Sequence, residues 1–350
     1  MDRIPQTPPV VKPLASTPDR PLWSVMIPVY DCSTYLIESL KSVLSQDLGA
    51  QQMQIEVVDD ASTDADVEAI VQRIGQGRVN YFRQNQNVGS LRNFETCINR
   101  AKGQLVHLLH GDDRVLPGFY GKFTQLFQSF PDAGAAFCRY AYIDMQGEQH
   151  HQREPEIEYD GILTDWLPRI AQQNRLQYVS MVVKRSVYEQ LGGFYGVTFG
   201  EDWEMWVRIA RYYPVAYTPE VLAEYRCHDQ SISDQKLTTG QALRDLRIVI
   251  DTIQYHLPKH YRERVHKKAK KHYLWYGMYG AYNAWKMSGN YSNMRKSIQE
   301  AFLLHSGLLF YVLLTKVGLK IFLHRCRFDK PRVTWITTKF LYLIGRDVSD

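Results

Sequence analysis

Short apolar, β-favouring runs alternate along the first two-thirds of the chain with longer runs whose apolar positions recur every three or four residues. "WSVMIPVY" (Trp23–Tyr30) is a short apolar, β-rich run. "STYLIESLKSVLSQ" (Ser33–Gln46) sets Leu36, Leu40, Val43 and Leu44 at helical spacing behind a Ser33 cap. The same step recurs as "QIEVVDD" then "DADVEAIVQRI", as "VNYFRQ" then "SLRNFETCINRA", and as "QLVHLLHGDD" then "PGFYGKFTQLFQSF". Strands alternating with helices of this length predict a mostly parallel sheet covered on both faces, an α/β fold. Ligands of such sheets sit at the carboxyl ends of the strands. Asp59-Asp60 and Asp112-Asp113 both fall at such ends, so two acidic pairs are expected to converge on one cleft.

The chain has 350 residues and 45% hydrophobic content, enough for one large α/β domain with an appendage. Its five cysteines, Cys32, Cys97, Cys138, Cys227 and Cys326, are scattered without a C-x-x-C pair. That argues against both a disulfide framework and a cysteine zinc site, and a reducing compartment fits best. Residues 1–21 are polar and carry six prolines with no apolar core, which reads as a flexible tail rather than a signal peptide. Charge divides the chain. Residues 1–235 hold 21 Lys+Arg against 30 Asp+Glu, whereas residues 236–350 hold 21 against 7. Such asymmetry points the second part towards an anionic partner, a membrane surface or nucleic acid.

Two adjacent acids at the end of an apolar run, as in "HLLHGDDRVLPG" (His107–Gly118), repel one another unless a positive group sits beside them. Carboxylates grouped at strand ends suit a hard divalent cation, Mn²⁺ or Mg²⁺, which takes oxygen ligands and phosphate oxygens together. A metal carrying a diphosphate meets that need, although an Asp at a strand end can equally cap a helix or shape a turn. Neither G-x-x-x-x-G-K-[ST] nor a G-x-G-x-x-G after the first strand is present, which disfavours kinase-like and dinucleotide sites.

In order and spacing, "SVMIPVYDCSTYLIESLKSVLSQ", "IEVVDDASTD", "NQNVGSLRNFETCINRAKGQLVHLLHGDDRVLPG" and "GEDWEMWVRIA" resemble the successive signatures of family-2 glycosyltransferases, over about residues 22–230. The resemblance implies a GT-A fold, Rossmann-like with helices on both faces, and inverting transfer from a nucleotide diphosphosugar. It places Pro28, Tyr30 and Asp59 or Asp60 at the base and ribose, with Asn87, Gly89 and Asn93 also at the nucleotide-sugar site. Asp112 and Asp113 correspond to the D-x-D-type motif, Asp112 towards the ribose and Asp113 towards the metal. His110 stands where relatives often carry an Asp, and is a ligand or a hydrogen-bonding neighbour. Asp202, after Glu201, corresponds to the catalytic base, and His228 in "EYRCHDQSIS" to a residue reaching the metal or diphosphate. A carboxylate that takes the acceptor's proton and a metal that holds the departing diphosphate agree with that chemistry. Glu201 and Asp202 also suit a helix N-terminus, and Gly192, Gly193 and Gly200 mark flexible backbone before it. Trp203 or Trp206 could stack on a sugar, with one of them core.

Beyond residue 235 the resemblance ends. "KHYRERVHKKAKKHYLWYGMYGAYNAW" mixes seven Lys+Arg between Lys259 and Lys271 with aromatic residues, and "AFLLHSGLLFYVLLTKVGLKIFLHRCRF" is apolar but interrupted by Lys316 and Lys320. A spanning helix needs about 20 unbroken apolar residues. An interfacial helix fits better, with a helix packed on the domain as the alternative. The acidic first part opposes nucleic acid as a partner. The expected organisation is a flexible tail (1–21), a GT-A domain (22–235) and a basic, helical C-terminal region (236–350) suited to membrane association. The expected function is a cytoplasmic, membrane-peripheral, inverting glycosyltransferase using a UDP-sugar and a glycan or lipid-linked acceptor in surface or extracellular polysaccharide synthesis. The alternative is a non-catalytic nucleotide-sugar binding or regulatory protein.

Overall fold

The computed structural model describes residues 2–14, 20–228, 231–289 and 291–325. Two compact units emerge, residues 1–229 with 248–266, and residues 230–247 with 267–350.

The first begins with β1 (Trp23–Val29), α1 (Ser33–Leu44), β2 (Met53–Asp59), α2 (Val67–Gly75), β3 (Asn80–Arg83), α3 (Ser90–Arg100), β4 (Leu105–Leu108), β5 (Arg114–Val115) and α4 (Phe119–Ser129). It continues with β6 (Ala135–Ile143), β7 (Gln149–Gln152), β8 (Gly161–Ile162), α5 (Trp166–Ile170), β9 (Met181–Lys184), α6 (Arg185–Leu191), α7 (Glu201–Tyr212) and β10 (Val215–Arg226). These strands form one sheet in the order β3-β2-β1-β4-β9-β6-β10-β5, with β7 on β6 and β8 on β10. From β3 to β4 every pairing is parallel, as the repeating strand–helix pattern requires. All seven residues of β1 and of β2 are buried, as expected for strands covered on both faces. The second half is mixed: β9 runs antiparallel to both β4 and β6, while β10 runs parallel to β6.

Two local expectations change. Ser33 is the first residue of α1 rather than its cap, and its N–H donates to Asp64 Oδ2 at 2.9 Å across the β2–α2 loop. The segment expected as a flexible tail lies against the domain over residues 2–14, with Pro5 and Val11 buried. Its acceptors are matched there: Gly196 N–H donates to Pro5 O at 2.8 Å, Gly193 N–H to Pro9 O at 2.9 Å, and Arg185 Nη2 to Lys12 O at 3.0 Å.

The remaining helices are α8 (Ile232–Thr239), α9 (Gln241–Ile253), α10 (Lys259–Ser288), α11 (Tyr291–Leu304) and α12 (Leu308–Arg325). Within the second unit α12 buries Phe310, Leu313 and Val317, a narrow seam, and leaves Leu308, Tyr311, Val312, Leu319, Phe322 and Leu323 exposed. Lys316 lies over the Trp275 ring and Lys320 over Tyr279 and Tyr282, so both lysines turn towards aromatic faces of α10. No helix among the described residues is long and apolar enough to cross a membrane.

Candidate active site

Asp112 and Asp113 stand in the turn between β4 and β5. Leu109 N–H donates to Met26 O and Gly111 N–H to Pro28 O, which pins the approach to this turn on β1. A Cβ at Gly111 would crowd Cys32 Sγ and Val29 Cγ2 at 3.0 Å, so both side chains would have to give way. β5 then pairs with the end of β10, bringing Arg226 and His228 to the same place.

Positive charge beside the acid pair reaches Asp113 from Arg226. Its N–H donates to Asp113 Oδ1 and its Nε to Asp112 O, both at 2.9 Å, while Nη2 donates to Glu38 at 2.7 Å. His228 Nε2 lies 3.0 Å from Asp112 Oδ2. Burial pushes Asp112 up, but the His228 hydrogen bond and the neighbouring imidazoles outweigh it, leaving this carboxyl below the usual range. Asp113 is driven the other way, well above the usual range, by burial and then by Asp112's charge. Two close acids in one buried site split in this manner.

Among the described residues, His110, Asp112 and Asp113 bring three donor atoms within 4.8 Å of one another. Asp113 Oδ2 and His110 Nε2 are buried without a hydrogen-bond partner. Burial lowers the His110 pKa, favouring the neutral imidazole that binds metals. These donors fit a divalent cation, with His110 inside the cluster and His228 one step behind it, on Asp112.

The His110 ring packs in a three-ring cluster with Phe94 (centroids 5.1 Å apart) and Tyr178 (4.5 Å), which also touch each other. Tyr178 in turn donates its hydroxyl to Glu201 Oε1 at 3.3 Å, linking the acid turn to the first residue of α7. Beside Glu201, Asp202 accepts from Asn174 Nδ2 and from Trp203 N–H, each at 2.7 Å. Burial raises its pKa to about 6, against the opposing effect of those bonds. Gly200 enters the helix at φ 88°, a conformation that glycine adopts without strain. Trp203 and Trp206 are both core residues; Trp203 donates to Ile170 O, and Trp206 packs against Tyr178 and Phe194. Neither is exposed to stack on a sugar.

The first acid pair builds walls. Asp59 accepts from Ser62 N–H and Tyr81 and pairs with Arg83, while Asp60 accepts from Val88 N–H at 2.7 Å and Gly89 N–H at 2.9 Å. Asn93 is buried, bridging Val58 O and Gln84, and Asn87 donates to Asp60 O. Asp31 accepts from Thr63 N–H and Asp64 N–H, stitching the loop after β1 to that after β2. Pro28 is buried in β1, and Tyr30 remains exposed at the rim.

With this frame, the chain matches Glycosyl transferase family 2 over residues 24–190. That span is a family-2 glycosyltransferase domain. An uncharacterized glycosyltransferase of Rickettsia typhi is 25% identical over 228 residues, covering 65% of this chain and 68% of that one. An uncharacterized protein of Mycobacterium tuberculosis is 34% identical over 138 residues, and there the match spans only 42% of the relative. Among solved structures, S. aureus TarS in complex with UDP-GlcNAc has a TM-score of 0.61 at 15% identity, with 79% of each chain covered. The Pyrobaculum calidifontis mannosyltransferase PcManGT, in complex with GDP-Man and Mn²⁺, has a TM-score of 0.53 at 18% identity, covering 95% and 89%. The fold of the glycosyltransferase domain is therefore GT-A.

Sequence reasoning missed Tyr178, Asn174 and Arg226. Arg226 left a trace, a cation closing a strand whose neighbours are largely buried. Tyr178 and Asn174 left none, because what makes them matter is their contact with α7.

Proposed function

We propose that the chain is an inverting glycosyltransferase that moves a sugar from a nucleotide diphosphosugar, by first choice a UDP-sugar, to a glycan or lipid-linked acceptor. The observation that carries this reading is one contiguous chain of side chains, from the three-donor cluster at Asp112-Asp113 through His110 and Tyr178 to Glu201 and Asp202. In it, Asp113, Asp112 and His110 hold a Mn²⁺ or Mg²⁺ ion, with His228 orienting Asp112. When bound, the cation supplies charge stabilisation to the departing diphosphate. Asp202 takes the acceptor hydroxyl's proton as that oxygen attacks the anomeric carbon, and its pKa of about 6 leaves it ionised yet basic near neutrality. Asn174 orients the carboxylate. Tyr30, Asn87 and Gly89 line the base and ribose, on loops held by Asp59, Asp60 and Asn93, while Pro28 is buried in β1 just before Tyr30.

Surface or extracellular polysaccharide synthesis at the inner face of the cell membrane suits the C-terminal unit. The exposed apolar stripe of α12 and the four lysines Lys267, Lys268, Lys270 and Lys271 of the same unit match an interface with an anionic bilayer.

A screen of nucleotide sugars for cation-dependent protection against heating tests the donor, since a ligand of the folded state raises its stability. NMR of the product then reads the anomeric configuration. Protection by no nucleotide sugar, with or without cation, contradicts the reading; a retained anomeric configuration removes the inverting mechanism.

A further inference from the structure

The N-terminal segment lies outside the span that matches the family, yet it reaches the cleft. Its prolines hold an extended path at low entropic cost. Its carbonyls are matched by four donors spread over the domain: Asp2 O by Arg92, Pro5 O by Gly196, Pro9 O by Gly193 and Lys12 O by Arg185. The receiving surface is cut to fit it. A Cβ on Gly192 would stand 2.8 Å from Pro8 Cβ and 2.9 Å from Pro9 O, so a side chain there would displace the segment.

The anchored segment places Arg3 at the loop between β3 and α3. Its guanidinium donates to Asn87 Oδ1 and lies 3.2 Å from where a Cβ on Gly89 would be. Its charge reaches the carboxyl of Asp60 and the hydroxyl of Tyr30, lowering both pKa values against larger effects that raise them. Tyr30, Asp60, Asn87 and Gly89 therefore share one cation, which comes from eighty residues or more away along the chain for two of them. Arg3 is exposed and lines a groove of about 540 Å³ with Gln84, Asn87, Val88, Arg92 and Glu95, so its side chain meets open space.

We propose that residues 2–14 are a strap that delivers Arg3 to the nucleotide base, where it selects a base presenting carbonyl acceptors. This rests on the reading of the cleft as a donor site. A guanidinium offers five N–H donors and no acceptor, so it pairs with carbonyl oxygens and ring nitrogens such as uracil O4 or guanine O6 and N7. It opposes the exocyclic amine that cytosine presents at the corresponding position. Arg3 is in this sense a specificity-determining residue, whereas the strap's other contacts hold it in place.

The test measures calorimetric affinities of UDP, GDP and CDP, with Mn²⁺ present, for the full chain and for its Arg3→Ala and Arg3→Lys variants, with thermal midpoints as the control for folding. The wild type is expected to prefer UDP or GDP over CDP. Arg3→Ala should narrow that preference by roughly tenfold, the scale of one charge-assisted hydrogen bond, with an unchanged thermal midpoint. Arg3→Lys, which keeps the charge and loses the fork, should narrow it as well. An equal weakening of all three nucleotides overturns base selection and leaves Arg3 a mere support for Asn87. Unchanged affinities in Arg3→Ala overturn the inference while the donor reading stands. A wild type that binds none of the three overturns both.

Discussion

The backbone N–H of Arg226 donates to one oxygen of Asp113 at 2.9 Å, and the other oxygen of that carboxylate is buried without a hydrogen-bond partner. The same residue reaches Asp112 O with its Nε, so one arginine grips both members of the acid pair, by main chain and side chain. What is gripped is fixed in position, and what is left over points at the cluster.

Replacement of Arg226 tests the grip. Its buried guanidinium also serves Asp144 O and Glu38, so Arg226→Met strands several acceptors and removes the counter-charge of a buried acid. The expected loss is about 3–5 kcal/mol, read from urea denaturation. A loss below about 1 kcal/mol would show that solvent replaces those bonds.

Asp113→Asn tests what is left over. The amide oxygen still accepts from Arg226 N–H, so the fold persists, while cation-dependent UDP binding should fall at least tenfold by calorimetry. Stability moves the other way. An acid whose folded pKa is raised adds stability that is lost as pH rises through that value, so the neutral variant should gain on wild type as pH increases. Unchanged UDP affinity and cation dependence would exclude Asp113 as a ligand.

Asp202 sets a pH dependence. The base proposed here acts when ionised, so kcat/KM should rise with pH through about 6, then level off, and Asp202→Asn should lose on the order of 10²–10⁴ in rate with donor affinity kept. The Asn174 hydrogen bond favours the ionised form, and Asn174→Ala should therefore move the acid limb to higher pH. Donor hydrolysis followed across pH reads both. Near wild-type turnover in Asp202→Asn would identify another base.

Liposome flotation examines α12. In the full chain, Leu319→Ser with Phe322→Ser alters two exposed side chains and should leave stability nearly unchanged. Wild type is expected to float with anionic vesicles, partly released by high salt, and the double variant to be stripped by salt completely. Equal salt release of both proteins would assign attachment to charge alone.

How legible this was differs by element. β1 and β2 could be read because strands covered on both faces leave unbroken apolar runs, and the helices between them kept their spacing. The antiparallel insertion of β9 between β4 and β6 could not, since its partners lie many residues away and its four residues carry no mark of direction. Asp112, Asp113, Glu201 and Asp202 stood out as paired charges. Their connection did not: Tyr178 is a tyrosine in an ordinary stretch until packing sets it on His110. Ser33 misled as a cap because the acid that satisfies its N–H, Asp64, sits on another loop. The strap misled for a related reason, since a proline-rich polar segment looks unstructured wherever its partners are glycines and arginines elsewhere in the chain.

Because Arg226 and His228 are part of the same floor as Asp112 and Asp113, the two acids do not face one another alone. Each acid is tied to a neighbour from the end of β10 or just beyond it, so its position does not depend on an external ion. In the proposed reaction, a departing diphosphate and its cation would leave behind acids that are still held by Arg226 and His228.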